Sequence, residues 1–147
     1  MKTIYDDTLR NDILSRVARV TTESRARWGK MNAEKMLAHM TESLRMALGE
    51  FHPKPKNLPI RYFPLKQLII YLAPFPKGAP TAPELMPSDS RTVEHSKGEI
   101  ARLLEAIAKC RDATSWPEHP AFGKLTTRAW GVLTYRHFDH HLRQFGA

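Results

Sequence analysis

Two histidines near the end of the chain, His137 and His141, have the residue type and the spacing for metal chemistry. On a helix each residue advances about 100°, so with Trp130 as zero they fall near −20° and +20°. Leu133, Thr134, Phe138 and Phe145 flank them, and Arg128, Arg136, Asp139 and Arg143 lie on the far side. Both imidazoles therefore occupy the centre of an inward stripe, four residues apart, where two rings can reach one ion. His39 is the third candidate, set beside Ser43 and Met46 about 60° beyond the edge of another apolar arc, where it can look along the seam towards a neighbouring helix. Three neutral imidazoles around an open position describe a catalytic divalent site, in which the metal activates water and polarises a substrate. Histidine suits Zn, Ni, Fe(II), Co and Mn alike. A buried polar network without metal fits the same pattern, and the residues alone leave both readings open.

The elements that must position these side chains are helical. Apolar spacing predicts a first helix from Thr8 to Val20, with Leu9, Ile13, Val17 and Val20 on one stripe. A second starts after Asn32, a good N-cap, and runs to Leu48 with Gly49 as its stop. A third follows the Ser88-Asp89-Ser90 cap cluster and runs to Lys109, with Val93, Ile100, Leu103, Leu104 and Ile107 inward. The fourth starts at a Thr126 or Thr127 cap and reaches Phe145. No strand or repeat stands out. The expected fold is all-α, a four-helix bundle formed by a single domain over residues 1–147.

The link between the second and third helices, residues 51–88, carries nine of the eleven prolines, which excludes any long helix there and leaves room for a short one near Leu65–Leu72. A link that long is uncommon in a compact domain unless it crosses the bundle or carries function. If it crosses, the second and third helices are parallel and the order is up-down-down-up. His39 then stands about 10 Å from the start of its helix, and the 137/141 pair about 9 Å from the end of the last one, at the same end of the bundle. The crossover brings the three histidines to one level.

Other residues rank lower. His140 lies about 80° from Trp130 and aims less well than His141 as the partner of His137. His95 falls on a polar helix face, while His52 and His119 each precede a proline in a loop. Gln144, on the inward side, is placed either to hydrogen-bond a ligand histidine or a bound water or simply to pack near the helix end. Trp130 reads as core and Cys110 has no activating partner. Asp139 and Arg143 read as a solvent-side ion pair that Arg136 shares.

Three segments carry a resemblance to a known family: WGKMNAEKMLAHMTESLRMALGE (28–50), FPKGAPTAPEL (75–85) and HPAFGKLTTRAWGVLTYRHFDHHLRQFG (119–146). Together they resemble the DinB/YfiT-like superfamily, within it a bacterial subfamily of unknown function. The resemblance implies an up-down-down-up bundle, a histidine on the second helix and an H-x-x-x-H pair on the last; His39, His137 and His141 match those positions. It also implies metal-dependent hydrolysis or transfer of a low-molecular-weight thiol, and a homodimer.

The net charge of +8 over 147 residues raises a nucleic-acid reading. Half of the excess lies in 51–88, where Lys54, Lys56, Arg61, Lys66 and Lys77 face a single acid, Glu84. Without aromatic interleaving along one face, this favours solubility over a specific nucleic-acid partner. The segment MKTIYDDTLRNDIL has no apolar signal core, and the most apolar run, Leu68–Ala73, is far short of the roughly 20 residues of a membrane span. A cytoplasmic protein acting on a small-molecule substrate is expected, with Tyr62, Phe63, Tyr71 and Phe75 forming a pocket wall or a dimer surface. A non-catalytic carrier or assembly subunit is the alternative.

Overall fold

The computed structural model describes residues 1–79, 81–87 and 91–147. The fold is an all-α bundle with a proline-rich crossover, with five α-helices among the described residues: α1 (Asp7–Arg19), α2 (Ala33–Ala47), α3 (Leu65–Tyr71), α4 (Val93–Lys109) and α5 (Thr127–Gln144). The expected count of four is thus corrected to five. The extra helix is the short one, α3, which forms in the one part of the crossover, between Pro64 and Pro74, that is free of proline. Two 3-10 turns, Pro59–Arg61 and Pro83–Leu85, flank it, each with proline in its first turn.

Caps set the helix starts. The Asp6 carboxylate accepts the Leu9 N–H at 3.0 Å. The Asn32 side chain accepts that of Lys35 at 2.9 Å, and Thr126 accepts that of Ala129 at 3.1 Å. The Ser88-Asp89-Ser90 cluster lies outside the described residues; the side chain that caps α4 is Thr92, bonded to the His95 N–H at 3.1 Å.

The main core joins α1, α2, α4 and α5 around Ile13, Met36, Leu37, Met40, Ile100, Leu104 and Phe138, all without solvent exposure. A smaller cluster of Ile70, Phe122, Ala129, Val132 and Leu133 ties α3 to the outer side of α5. Arg136 reinforces that joint by donating to the carbonyls of Ile69 (2.7 Å), Ile70 (2.6 Å) and Ala73. Ile69 and Ile70 lie in the last turn of α3, whose carbonyls the helix itself cannot satisfy, and Ala73 lies just past its end.

Contacts along the helices show how they lie. The Ile4 N–H donates to the Gly131 carbonyl at 3.0 Å, and Arg16 pairs with Asp139 at 2.8 Å. Gly131 makes that approach feasible: a Cβ there would sit 2.4 Å from the Tyr5 ring. Arg10 stands 4.0 Å from Glu105, and Lys97 donates to the Ala18 carbonyl at 3.0 Å. Arg27 and Trp28, ahead of α2, meet Gln144 at the end of α5. No helix among the described residues is long and apolar enough to cross a membrane.

Candidate metal centre

His39 from the middle of α2 and His137 and His141 from the last turns of α5 meet in one cluster. One nitrogen from each lies within 4.8 Å of the others. The rings are nearly perpendicular pair by pair, with centroids 4.9 Å (39/137), 5.0 Å (39/141) and 4.8 Å (137/141) apart. They stand like three walls meeting at a corner. His39 and His141 are buried and His137 is half-buried.

Hydrogen bonding fixes which nitrogens face inward. His39 Nδ1 lies 3.1 Å from the Leu85 carbonyl, which can only accept, so Nδ1 carries the proton and Nε2 keeps its lone pair. That Nε2 is 3.0 Å from His137 Nε2. His141 is held the same way. The Gln144 amide donates Nε2–H to the Trp28 carbonyl at 2.7 Å, which turns its Oε1 towards His141 Nδ1 at 2.9 Å. His141 Nδ1 therefore donates, and its Nε2 lone pair is free.

Gly29 makes room for this. It adopts φ +80, and a Cβ there would sit 2.7 Å from the Gln144 amide nitrogen.

The residues fit a divalent ion. Donors around a tetrahedral zinc stand about 3.3 Å apart, given Zn–N near 2.0–2.1 Å, and the 3.0 Å approach of His39 to His137 is close to that spacing. Each outward nitrogen bonded to a carbonyl or amide oxygen is the usual support of a metal-binding histidine. Electrostatics agree. Burial pushes His39 down, against its bond to Leu85. It pushes His141 down to about 4, with neighbouring His39 adding and the Gln144 bond opposing. Burial and then the surrounding imidazoles push His137 well below its ordinary value. All three are neutral at pH 7, the form that ligates.

A family model described as a protein of unknown function, DUF1569, matches residues 5–147. The chain belongs to the DUF1569 family. No curated protein and no solved structure matches it. The DUF1569 description assigns no chemistry, so the geometry carries the functional reading.

The remaining sequence candidates separate clearly in this DUF1569 chain. His140 turns away from the cluster, towards the Trp28 ring (5.7 Å) and the Phe75 ring (5.9 Å). His95 and His52 are exposed. His119 is a turn residue whose Nδ1 accepts the N–H groups of Ala121 (3.1 Å) and Phe122 (3.2 Å). Trp130 is core. Asp139 bonds Arg143 at 3.0 Å and also Arg16 at 2.8 Å. Arg136 does not share that pair, because its guanidinium is taken up by α3. Of the crossover cations, Arg61 pairs with Glu118 at 2.8 Å and Lys66 donates to the Lys124 carbonyl at 3.2 Å.

Sequence reasoning missed the carbonyls of Leu85 and Trp28. A main-chain oxygen is present at every position and leaves no trace in residue type.

These shifts predict acid sensitivity. His119 is also pushed down to about 4, by burial and then by Arg61. A histidine held neutral in the fold takes up a proton on unfolding once the pH drops below about 6.5. The stability it contributes is complete above that value and is lost as pH falls towards 4. Metal-free protein should therefore melt at progressively lower temperature from pH 7 to pH 4.5 in a calorimetric series. A flat profile would contradict neutral, buried imidazoles.

Proposed function

We propose that this DUF1569 chain is a metal-dependent enzyme in which His39, His137 and His141 hold one divalent ion, Zn, Ni, Fe, Co or Mn, for hydrolysis or thiol S-transfer on a small substrate. One observation carries the reading: three neutral imidazoles converge, with His137 Nε2 3.0 Å from His39 Nε2, while the outward nitrogens of His39 and His141 are bonded away. The bound ion supplies Lewis acidity, lowering the pKa of water or a thiol and polarising an electrophile.

The chain's own residues do the positioning. Leu85, on the crossover, holds His39 from behind, and Gln144 holds His141. Burial keeps all three rings unprotonated. His137, half-buried, is the side from which a substrate would approach.

A single up-down-down-up domain accounts for this arrangement. It is supported by the pairing of Ile4 with Gly131 and Arg16 with Asp139, of Arg10 with Glu105 and Ala18 with Lys97, and of Trp28 with Gln144 and His39 with His137. That order, the histidine positions and the enzymatic reading are those implied by the resemblance to the DinB/YfiT-like superfamily. A homodimer belongs to the same reading. The exposed side chains of Tyr62, Phe63, Leu68 and Leu72 on the crossover are its natural surface.

Turnover on a panel of epoxides, activated thiols, amides and esters tests the function. Activity should vanish with a chelator and return with one equivalent of metal. Metal retained without turnover on any member would favour the non-catalytic carrier.

A further inference from the structure

Beside the metal centre, on the adjoining face of α5, lies a cleft of about 420 Å³. That volume is within the usual range for small-molecule sites, about 300–1,000 Å³. Trp28, Pro74 and Phe75 form apolar walls, and Lys77, Arg136 and Arg143 bring positive charge. Among the described residues the one carboxylate in the lining is Asp139, and it already serves Arg16 and Arg143. The Arg136 guanidinium is spent on backbone carbonyls, which satisfy its donors without cancelling its charge. Among the described residues no carboxylate pairs with Lys77 or Arg136. Instead Lys77 Nζ stands 4.6 Å from the centre of the Trp28 ring, and the Arg136 guanidinium 5.0 Å from that of Phe75. Uncompensated charge and flat apolar surface thus occur together in a half-enclosed space, where an anion is attracted more strongly than in open water.

We propose that this cleft binds a small organic anion with a flat apolar body, its charge against Lys77 and Arg143 and its body between Trp28 and Phe75. His140 joins the cleft to the metal centre. Its ring lies 5.9 Å from Phe75 and 5.3 Å from His141. The ligand is therefore the acidic portion of the substrate; only that step rests on the metal-centre reading, since binding in the cleft needs no metal.

The experiment follows the indole N–H of Trp28, assigned with Trp28→Phe, by NMR of the full chain titrated with benzoate, phenyl phosphate, acetate and benzyl alcohol. Among the described residues that buried N–H has no acceptor, so its resonance will respond to an acceptor brought nearby. At least one aromatic anion should bind saturably, at least tenfold more tightly than benzyl alcohol and than acetate. Lys77→Gln combined with Arg143→Gln should weaken the anion at least tenfold and leave benzyl alcohol unchanged. A preference for phenyl phosphate over benzoate, or the reverse, names the anionic group. Equal affinities for benzoate, phenyl phosphate and benzyl alcohol, or indifference to the double variant, would overturn the proposal.

The same titration on His137→Ala separates it from the metal reading. Anion binding that survives there supports the cleft. Anion binding that disappears together with the metal places the anion on the ion and overturns the cleft. Metal retained by His137→Ala overturns the metal-centre reading and leaves the cleft standing.

Discussion

Replacing His137 by alanine should leave untagged, purified protein with less than about 0.1 divalent ion per chain by ICP-MS, against close to one in the wild type, because two imidazoles cannot complete a three-nitrogen site. His137 is the decisive position for a physical reason. His39 and His141 each have an outward partner that holds the ring in place, Leu85 and Gln144. Among the described residues, His137 has a single hydrogen-bond contact, at 3.0 Å to His39 Nε2. Truncating it removes a ligand, and His39 keeps its anchor. The fold should survive, with the melting temperature of the metal-free variant close to that of metal-free wild type. The added stability that metal gives the wild type through binding only the folded state should vanish. His95→Ala, at an exposed position on α4, is the matched control and should retain full metal. Unchanged metal in His137→Ala would sink the proposed centre.

The parts of this arrangement that were legible in the sequence are those written in side-chain type and period. The i, i+4 histidines on α5 and the caps at Asn32 and Thr126 depend on what a side chain is and where a 3.6-residue period sends it. The length and proline content of the crossover pointed to helices brought side by side. The count of helices was off by one because the short helix that the proline spacing allows near Leu65–Leu72 was not counted, a seven-residue helix being too short to hold by itself. What stabilises α3 is tertiary: Ile70 packs against Val132 and Leu133, and Arg136 gathers its terminal carbonyls. Arg136 was misassigned for the same reason. From the sequence its nearest opposite charge is Asp139, yet three uncapped carbonyls across the interface proved the better partner. The positively charged cleft was equally hidden, since Trp28, Phe75, Lys77 and Arg143 come from three separate stretches of chain and share no spacing.

The crossover is therefore more than a connection. It begins after α2, caps itself on α5 through Arg136, lines the cleft with Phe75 and Lys77, and ends by presenting the Leu85 carbonyl to His39. Metal ligation and substrate binding would both load the same strip of backbone. Its proline density limits how far that strip can rearrange when loaded.

Gln144 offers the sharpest separation of support from ligation. Gln144→Leu should lower metal affinity about 10- to 100-fold, the usual loss when the partner behind a ligand histidine is removed. It should also destabilise the metal-free fold by roughly 1–3 kcal/mol, because the buried Trp28 carbonyl and His141 Nδ1–H lose their partner at once. Gln144→Glu divides the two effects. A carboxylate still accepts from His141 Nδ1, and by favouring electron density on the ring it keeps His141 a good ligand. It cannot donate to the Trp28 carbonyl, so oxygen faces oxygen where the wild type has a 2.7 Å hydrogen bond. Gln144→Glu should thus retain metal affinity within a few-fold of wild type while melting lower without metal. Competition against a chelator of known affinity reads the first quantity, and calorimetry of metal-free protein the second. If leucine and glutamate weaken metal equally, Gln144 acts only by packing the Arg27–Gly29 turn onto the end of α5, and the tautomer of His141 is set by something other than its amide.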